Sequence, residues 1–104
     1  IKTERGVALI PAADIQWVEA DGDLVTLHTA RARHVLRTTM ADIESRLATP
    51  PFTRVHRSAI VNADCIQEIQ PLFKGDYIVV LKGGVQIRTG RKHRANVQAL
   101  MRGL

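Results

Sequence analysis

Cysteine, aromatic side chains and long apolar runs are all scarce in this sequence, and each scarcity excludes something. The 104 residues hold one cysteine, Cys65. A lone thiol cannot close an internal disulfide, which is compatible with a reducing compartment, and its apolar surroundings read it as a small buried filler. Trp17, Phe52, Phe73 and Tyr77 are the only aromatics, 4% of the chain. RNA and single-strand binders stack bases on exposed aromatics, so a small β-rich RNA or single-strand-binding domain is a disfavoured alternative. Apolar runs such as Tyr77-Ile78-Val79-Val80-Leu81 fall far short of the roughly 20 residues that span a bilayer. The N-terminus shows no charged stretch followed by an apolar one, so nothing marks it for export. It also lacks a starting Met, which leads to the expectation of a C-terminal fragment of a longer protein.

Catalytic groupings are missing as well. His28, His34, His56 and His93 are scattered, with no CxxC or HxxxH to gather metal ligands. Nothing marks Cys65 as an activated thiolate for His56 to serve. Gly83-Gly84 lacks the GK[ST] of a phosphate loop and sits between two strand-like runs, where a hairpin turn accounts for it. The reading is of a non-enzyme that needs no cofactor, metal or small-molecule substrate.

What the chain does have is positive charge, unevenly placed. Residues 1–53 carry six cations against seven anions, whereas residues 54–94 carry eight cations (Arg54, Arg57, Lys74, Lys82, Arg88, Arg91, Lys92, Arg94) against Asp64, Glu68 and Asp76. The formal net charge is +5, the sequence pI is near 10.1, and arginines outnumber lysines eleven to four. Arginine suits phosphate contacts because its planar fork grips two oxygens and never loses its charge. A solvated basic surface that aids solubility reads equally well from charge alone.

Local patterning predicts strands through most of the chain. Residues 7–10 form a short apolar run stopped by Pro11. Residues 15–20 and 24–29 flank Asp21-Gly22-Asp23, a turn signal, and read as a hairpin. Arg31-Ala32-Arg33 marks a second turn before a strand over 34–38. The period then changes: Met40, Ile43 and Leu47 share one face of a helix over 39–47, with Thr39 and Asp42 placed as a capping box. Pro50-Pro51 prevents continuation. Residues 52–57 and 59–61 are extended about Ser58, with Asn62 securing a turn through its own backbone. Residues 66–70 fit strand or turn. Residues 76–81 and 85–89 make a hairpin about Gly83-Gly84. After Gly90, a helix over 91–104 presents Val97, Leu100, Met101 and Leu104 on one face. The whole is one domain, residues 1–104, large enough to bury a core. Trp17 reads as a core or subunit-contact residue.

The run Phe52-Thr53-Arg54-Val55-His56-Arg57-Ser58-Ala59-Ile60-Val61-Asn62, followed by Ile66, Ile69, Gly75-Asp76-Tyr77, Gly83-Gly84 and Arg91, resembles the LytTR family of DNA-binding domains. Ile15, Glu19, Ala20, Gly22 and Val25 match that family's opening hairpin, so the likeness covers nearly all of residues 8–102. Leu24 stands where an aromatic is usual and Ala59 where a larger side chain is common, which are changes of packing. The resemblance implies a mainly β fold of elongated antiparallel sheets with short flanking helices and a C-terminal helix. It implies loops at strand ends that enter successive major grooves of double-stranded DNA and bend it, in the output domain of a bacterial transcription regulator of the two-component response-regulator kind.

Carried over residue by residue, the contact positions fall at Asp23, Arg57 and Arg91. Arginine reads guanine through a bidentate bond to O6 and N7, whereas the Asp23 carboxylate accepts from cytosine N4 but is repelled by phosphate. His56 alternates with Arg57 along the strand and reads as a structural residue with Arg57 outward. Lys92, His93 and Arg94 open the last helix, where cations oppose the helix dipole unless phosphates neutralise them. Further expectations are a receiver or membrane-sensor domain N-terminal to residue 1, a bacterial cytoplasmic location with tethering possible through that missing part, two copies on a direct repeat, and a monomer in isolation, since no heptad repeat would hold a dimer. The other alternative, a protein-interaction module without DNA binding, would require a neutral contact surface in place of these arginines.

Overall fold

The computed structural model describes residues 2–3, 6–7, 9–48 and 51–103. Strands β1 (Lys2–Thr3) and β2 (Gly6–Val7) pair as a short ribbon, and a 3-10 turn at Ala12–Asp14 leads into the main sheet. That sheet holds β3 (Ile15–Asp21), β4 (Leu24–Thr29), β5 (Arg33–Leu36), β6 (Phe52–His56) and β7 (Ala59–Asn62), with α1 (Met40–Arg46) between β5 and β6. All its strands are antiparallel, in the order β5-β4-β3-β7-β6. A second antiparallel sheet, β10-β9-β8, is built from β8 (Ile66–Pro71), β9 (Tyr77–Leu81) and β10 (Gln86–Arg88), and α2 (Arg94–Arg102) follows. The molecule measures 43 × 23 × 23 Å, an elongated shape.

Two cores share the five-stranded sheet. On one face Ile15, Val18, Val25, Leu27 and Ile60 meet Met40 and Ile43 of α1. On the other, Val55, Ala59 and Val61 meet Val79, Leu81 and Ile87 of the second sheet and Val97 of α2. Successive strand side chains point to opposite faces, so a strand covered on both sides must be apolar throughout. That is why Ala59, Ile60 and Val61 run without a break: Val61 lies opposite Trp17 and Ile60 opposite Val18, one facing each core.

Turns follow local chemistry. The hairpin between β3 and β4 turns through Gly22 and Asp23, with Gly22 at φ +62°, a backbone that glycine adopts without steric cost. Thr39 caps α1 by accepting from the Asp42 N–H at 3.0 Å, while the Asp42 carboxylate accepts from the Thr38 hydroxyl at 2.8 Å. Asn62 accepts from the Asp64 N–H and donates to the Ile15 carbonyl, both at 2.9 Å, so it closes a 3-10 turn at Ala63–Cys65 and ties it to β3.

Several sequence expectations shift. Leu9 and Ile10 are not strand, Leu9 is exposed, and Ala8 lies outside the described residues; the pairing partner of Val7 is Lys2, and Pro11 leads into the 3-10 turn at Ala12–Asp14. The open segment 66–70 is strand β8. The C-terminal helix starts three residues late. Residues Arg91–His93 form a 3-10 turn, His93 at φ −112°, ψ 13° breaks from it, and the α-helix begins at Arg94; Leu104 lies outside the described residues. Cys65 is half-buried at the margin of the second core, and burial raises its thiol pKa against the opposing pull of Lys82, which suits an unreactive thiol.

Candidate nucleic-acid interface

The corner between β6 and β7 is held by side chains on every side. Arg54, one strand residue before the bulge that shifts the β6–β7 register, turns its guanidinium back to donate to the carbonyls of His56 (3.1 Å) and Arg57, and pairs with Glu44 of α1 at 2.9 Å. Its side chain is only 15% exposed. His56 Nδ1 meets the Ser58 hydroxyl at 2.8 Å and accepts from the Ser58 N–H at 3.1 Å. The Ala20 N–H donates to the Ser58 carbonyl, and Asn96 of α2 donates to the Arg54 carbonyl, both at 2.9 Å. A fork that satisfies successive carbonyls leaves the intervening chain little freedom. Arg57 projects outward from it, exposed.

The segment after β10 joins this corner from one side. Gly90 donates to the Val55 carbonyl at 2.9 Å, and a Cβ on Gly90 would stand 3.3 Å from the His56 ring, so the close approach suits glycine. Arg91 and Lys92 leave exposed. His93 is half-buried, and its N–H donates to the Gly90 carbonyl at 3.1 Å. Arg94 differs from its neighbours: its guanidinium donates to the Lys74 carbonyl at 2.9 Å and its Nε is buried without a partner among the described residues. The sequence groups Arg94 with Lys92 as a phosphate-facing cation at the helix start; in the structure its guanidinium is also bonded to the β8–β9 loop.

From the other side comes the β3–β4 hairpin turn. Asp23 is exposed and pairs with Arg37 at 2.6 Å, an interaction in solvent worth about 0–1 kcal/mol. Gly22, Asp23, Arg37, Thr38 and Arg57 line one shallow groove. Of the three sequence-derived positions, Asp23 and Arg57 thus line one groove, while Arg91 follows Gly90, which is bonded to Val55 two residues before Arg57, with Lys92 and His93 next to it in the chain. Among the described residues, Arg57, Arg91 and Lys92 hold no ion pair, so their charge faces solvent.

This field acts on the one imidazole with a resolved shift. The pKa of His93 is lowered, first by burial and then by Arg54, with His56 and Lys92 adding to the effect and Glu44 opposing it. The protonated form of His93 is thereby disfavoured in the free domain. His28, by contrast, sits on the opposite run of the sheet, stacked on Trp17 with ring centroids 4.3 Å apart and bonded to Glu19 at 2.9 Å.

Two site residues escaped the sequence reading. Arg37 is fourteen positions from Asp23 and meets it only because β4 and β5 pair with Val25 opposite Leu36. Arg54 was visible as a cation inside the family-like run, but its role depends on a bulge that no spacing rule gives. Among the described residues no group of His, Cys, Asp and Glu could hold a metal ion, and no helix is long and apolar enough to cross a membrane.

Known proteins resemble this chain in sequence and fold. Residues 5–102 match the family described as LytTr DNA-binding domain. The sensory transduction protein LytT of Bacillus anthracis is 33% identical over 99 residues, covering 95% of this chain and 40% of its own length. The transcriptional regulatory protein LytR of Staphylococcus aureus (strain N315) is 26% identical over 99 residues, with the same coverage. The chain thus spans about 40% of the length of the curated relatives it matches. A solved LytTr DNA-binding domain from Bacillus cereus superposes with a TM-score of 0.84 at 21% identity, over 96% of this chain and 92% of that one, and so shares the fold. With the family matched across almost the entire sequence and the elongated antiparallel architecture in place, this chain belongs to the LytTR family of DNA-binding domains.

Proposed function

We propose that the chain reads specific double-stranded DNA with three strand-end segments, the Gly22-Asp23 turn, the Arg57 corner and the Gly90-Arg91 loop, set into successive major grooves. The observation that carries this reading is that Arg57 and Arg91 are exposed and free of ion pairs among the described residues, while the backbone beneath them is bonded into one unit through Ala20–Ser58 and Gly90–Val55. Rigid presentation of a guanidinium is what bidentate recognition of guanine needs, and each such pair discriminates by about 1–3 kcal/mol. Asp23, its charge matched by Arg37, approaches DNA without the repulsion of a bare carboxylate. Lys92 grips phosphate, His93 stands beside it, and Arg94 supports the segment from within.

In this reading the domain is the output part of a transcription regulator, joined to an N-terminal receiver or sensor domain, monomeric alone and bound as two copies on a direct repeat. Duplexes selected from a random pool supply the operator for the test. Salt titrations by fluorescence anisotropy on operator and scrambled duplex should show Arg57→Ala and Arg91→Ala losing preference at particular base pairs. Arg91→Ala should shift stability by less than about 0.5 kcal/mol, as exposed substitutions do. Lys92→Ala should weaken binding about equally on both duplexes and flatten the salt slope by about 0.9. Loss of base preference in Lys92→Ala with its retention in both arginine variants reverses the assignment; a wild-type salt slope near zero removes DNA binding by this surface.

A further inference from the structure

We infer that the loop between β8 and β9 is a fourth contact to the same duplex, with Phe73 packed on the deoxyribose edges of the minor groove beside the major groove that Arg91 enters and Lys74 paired with a flanking phosphate. This rests on the reading of Arg91 given above. Phe73 is 91% exposed. An aromatic side chain left in water at the tip of a flexible loop would mean little, but this loop is fixed. The Leu72 N–H donates to the Asp76 carbonyl at 2.8 Å, and Arg94 holds the Lys74 carbonyl at 2.9 Å. Lys74 stands at φ +62°, a left-handed conformation uncommon for a side chain of its kind, and Gly75 at φ +79°. A Cβ on Gly75 would lie 2.9 Å from Cζ of Arg94, so the loop and the start of α2 are fitted to each other. Strain held by surrounding structure points toward function.

Position and charge select the occupant. Tyr77 and Thr89 exchange bonds, Thr89 N–H to the Tyr77 carbonyl at 2.9 Å and Tyr77 N–H to the Thr89 hydroxyl at 3.0 Å, so Arg91 leaves the sheet beside this loop. The acid of the loop, Asp76, is paired with Arg88 at 3.4 Å. Lys74, Arg91 and Lys92 hold no ion pair among the described residues. A protein partner would call for a contiguous apolar patch, whereas Phe73 is one aromatic among cations and the other exposed large apolar side chains (Val7, Leu9, Leu24, Val35, Val85) lie on other elements. A polyanion whose groove walls are sugar C–H groups matches a lone apolar tip flanked by cations.

The test uses this chain on selected operator and scrambled duplex, with hydroxyl-radical footprinting to report access to the sugars. Phe73→Ala should bind both duplexes about tenfold more weakly, the effect of losing one buried aromatic contact, with an unchanged salt slope. One patch of minor-groove protection should disappear while the patches due to Arg57 and Arg91 remain. Lys74→Asn, which keeps the carbonyl and tolerates the left-handed backbone, should flatten the slope by about 0.9. Phe73→Ala binding within about twofold of wild type with the footprint intact, loss of every protected patch together, or tighter binding of single strands than of duplex would each overturn the inference. If wild type binds no duplex in a salt-dependent way, the underlying reading fails; if it does and Phe73→Ala is silent, only the loop contact fails.

Discussion

The Arg57 corner and the Gly22-Asp23 turn flank the same groove and are built on opposite plans. The corner is braced by Arg54, His56, Ser58 and a bond from Ala20, which together hold the carbonyls of His56, Arg57 and Ser58. The turn has only its hairpin register and a solvent-exposed pair between Asp23 and Arg37, and a Cβ on Gly22 would meet nothing within 4 Å. One has its backbone carbonyls held by a side chain from β6 and a bond from β3; the other has a single exposed ion pair beside its turn. On the reading proposed above, the difference assigns the braced corner to setting register on the duplex and the less restrained turn to adapting to it.

The strongest way to break this comparison is to remove the brace. Arg54→Ala leaves the His56 and Arg57 carbonyls without their donor and Glu44 without its partner, and because the side chain is largely buried the loss should be about 2 kcal/mol in urea denaturation. Arg54→Lys restores the charge beside Glu44 but not the fork, and should recover stability while base preference at the Arg57 position stays relaxed. Equal preference in Arg54→Lys and wild type would show that the corner holds itself.

A smaller effect tests the electrostatics of the rigid side. His93 has a depressed pKa, so its contribution to stability is present above the unfolded value near 6.5 and is lost as pH falls below that value toward the folded one. Bound phosphates oppose the depression. On the proposed reading DNA binding should therefore take up a proton and tighten as pH falls toward and below the ordinary imidazole value near 6.5, by less than about tenfold per pH unit. His93→Gln should show a flatter profile in paired anisotropy titrations; an identical profile assigns the effect elsewhere. The smallest change concerns the compliant side. Asp23→Asn breaks an exposed ion pair and should move stability by less than about 1 kcal/mol, while the released Arg37 steepens the salt slope by up to about 0.9. An unchanged slope would mean that Arg37 does not reach the backbone.

Much of the fold was legible because period and turn chemistry agreed: Thr39 as the α1 cap, Gly22 and Gly83-Gly84 as hairpin turns, and the pairing of residues 15–20 with 24–29 all emerge in the structure as the sequence reads. What escaped depends on register. The Asp23–Arg37 pair, the Arg54 fork and the docking of Arg94 on Lys74 join residues 14, 3 and 20 positions apart through sheet pairing and a bulge, which local patterns do not encode. The early end of the N-terminal apolar run escaped for a different reason: a few apolar residues with an exposed Leu9 carry no period by which strand could be told from coil.

The strand buried on both faces, β7, has a consequence for how the domain comes apart. Ile60 belongs to the core under α1 while Ala59 and Val61 belong to the core under α2, so neither can open without removing a wall from the other. An elongated molecule with two hydrophobic centres would otherwise be free to melt in halves; the shared strand is expected to join them into one cooperative unit, so that the amide hydrogens of Ile60 and Val61 should exchange with solvent only through unfolding of the whole domain. Arg57 after β6 and Arg91 after β10 would then be carried by a single foldon, and neither could be released by local melting of one core alone.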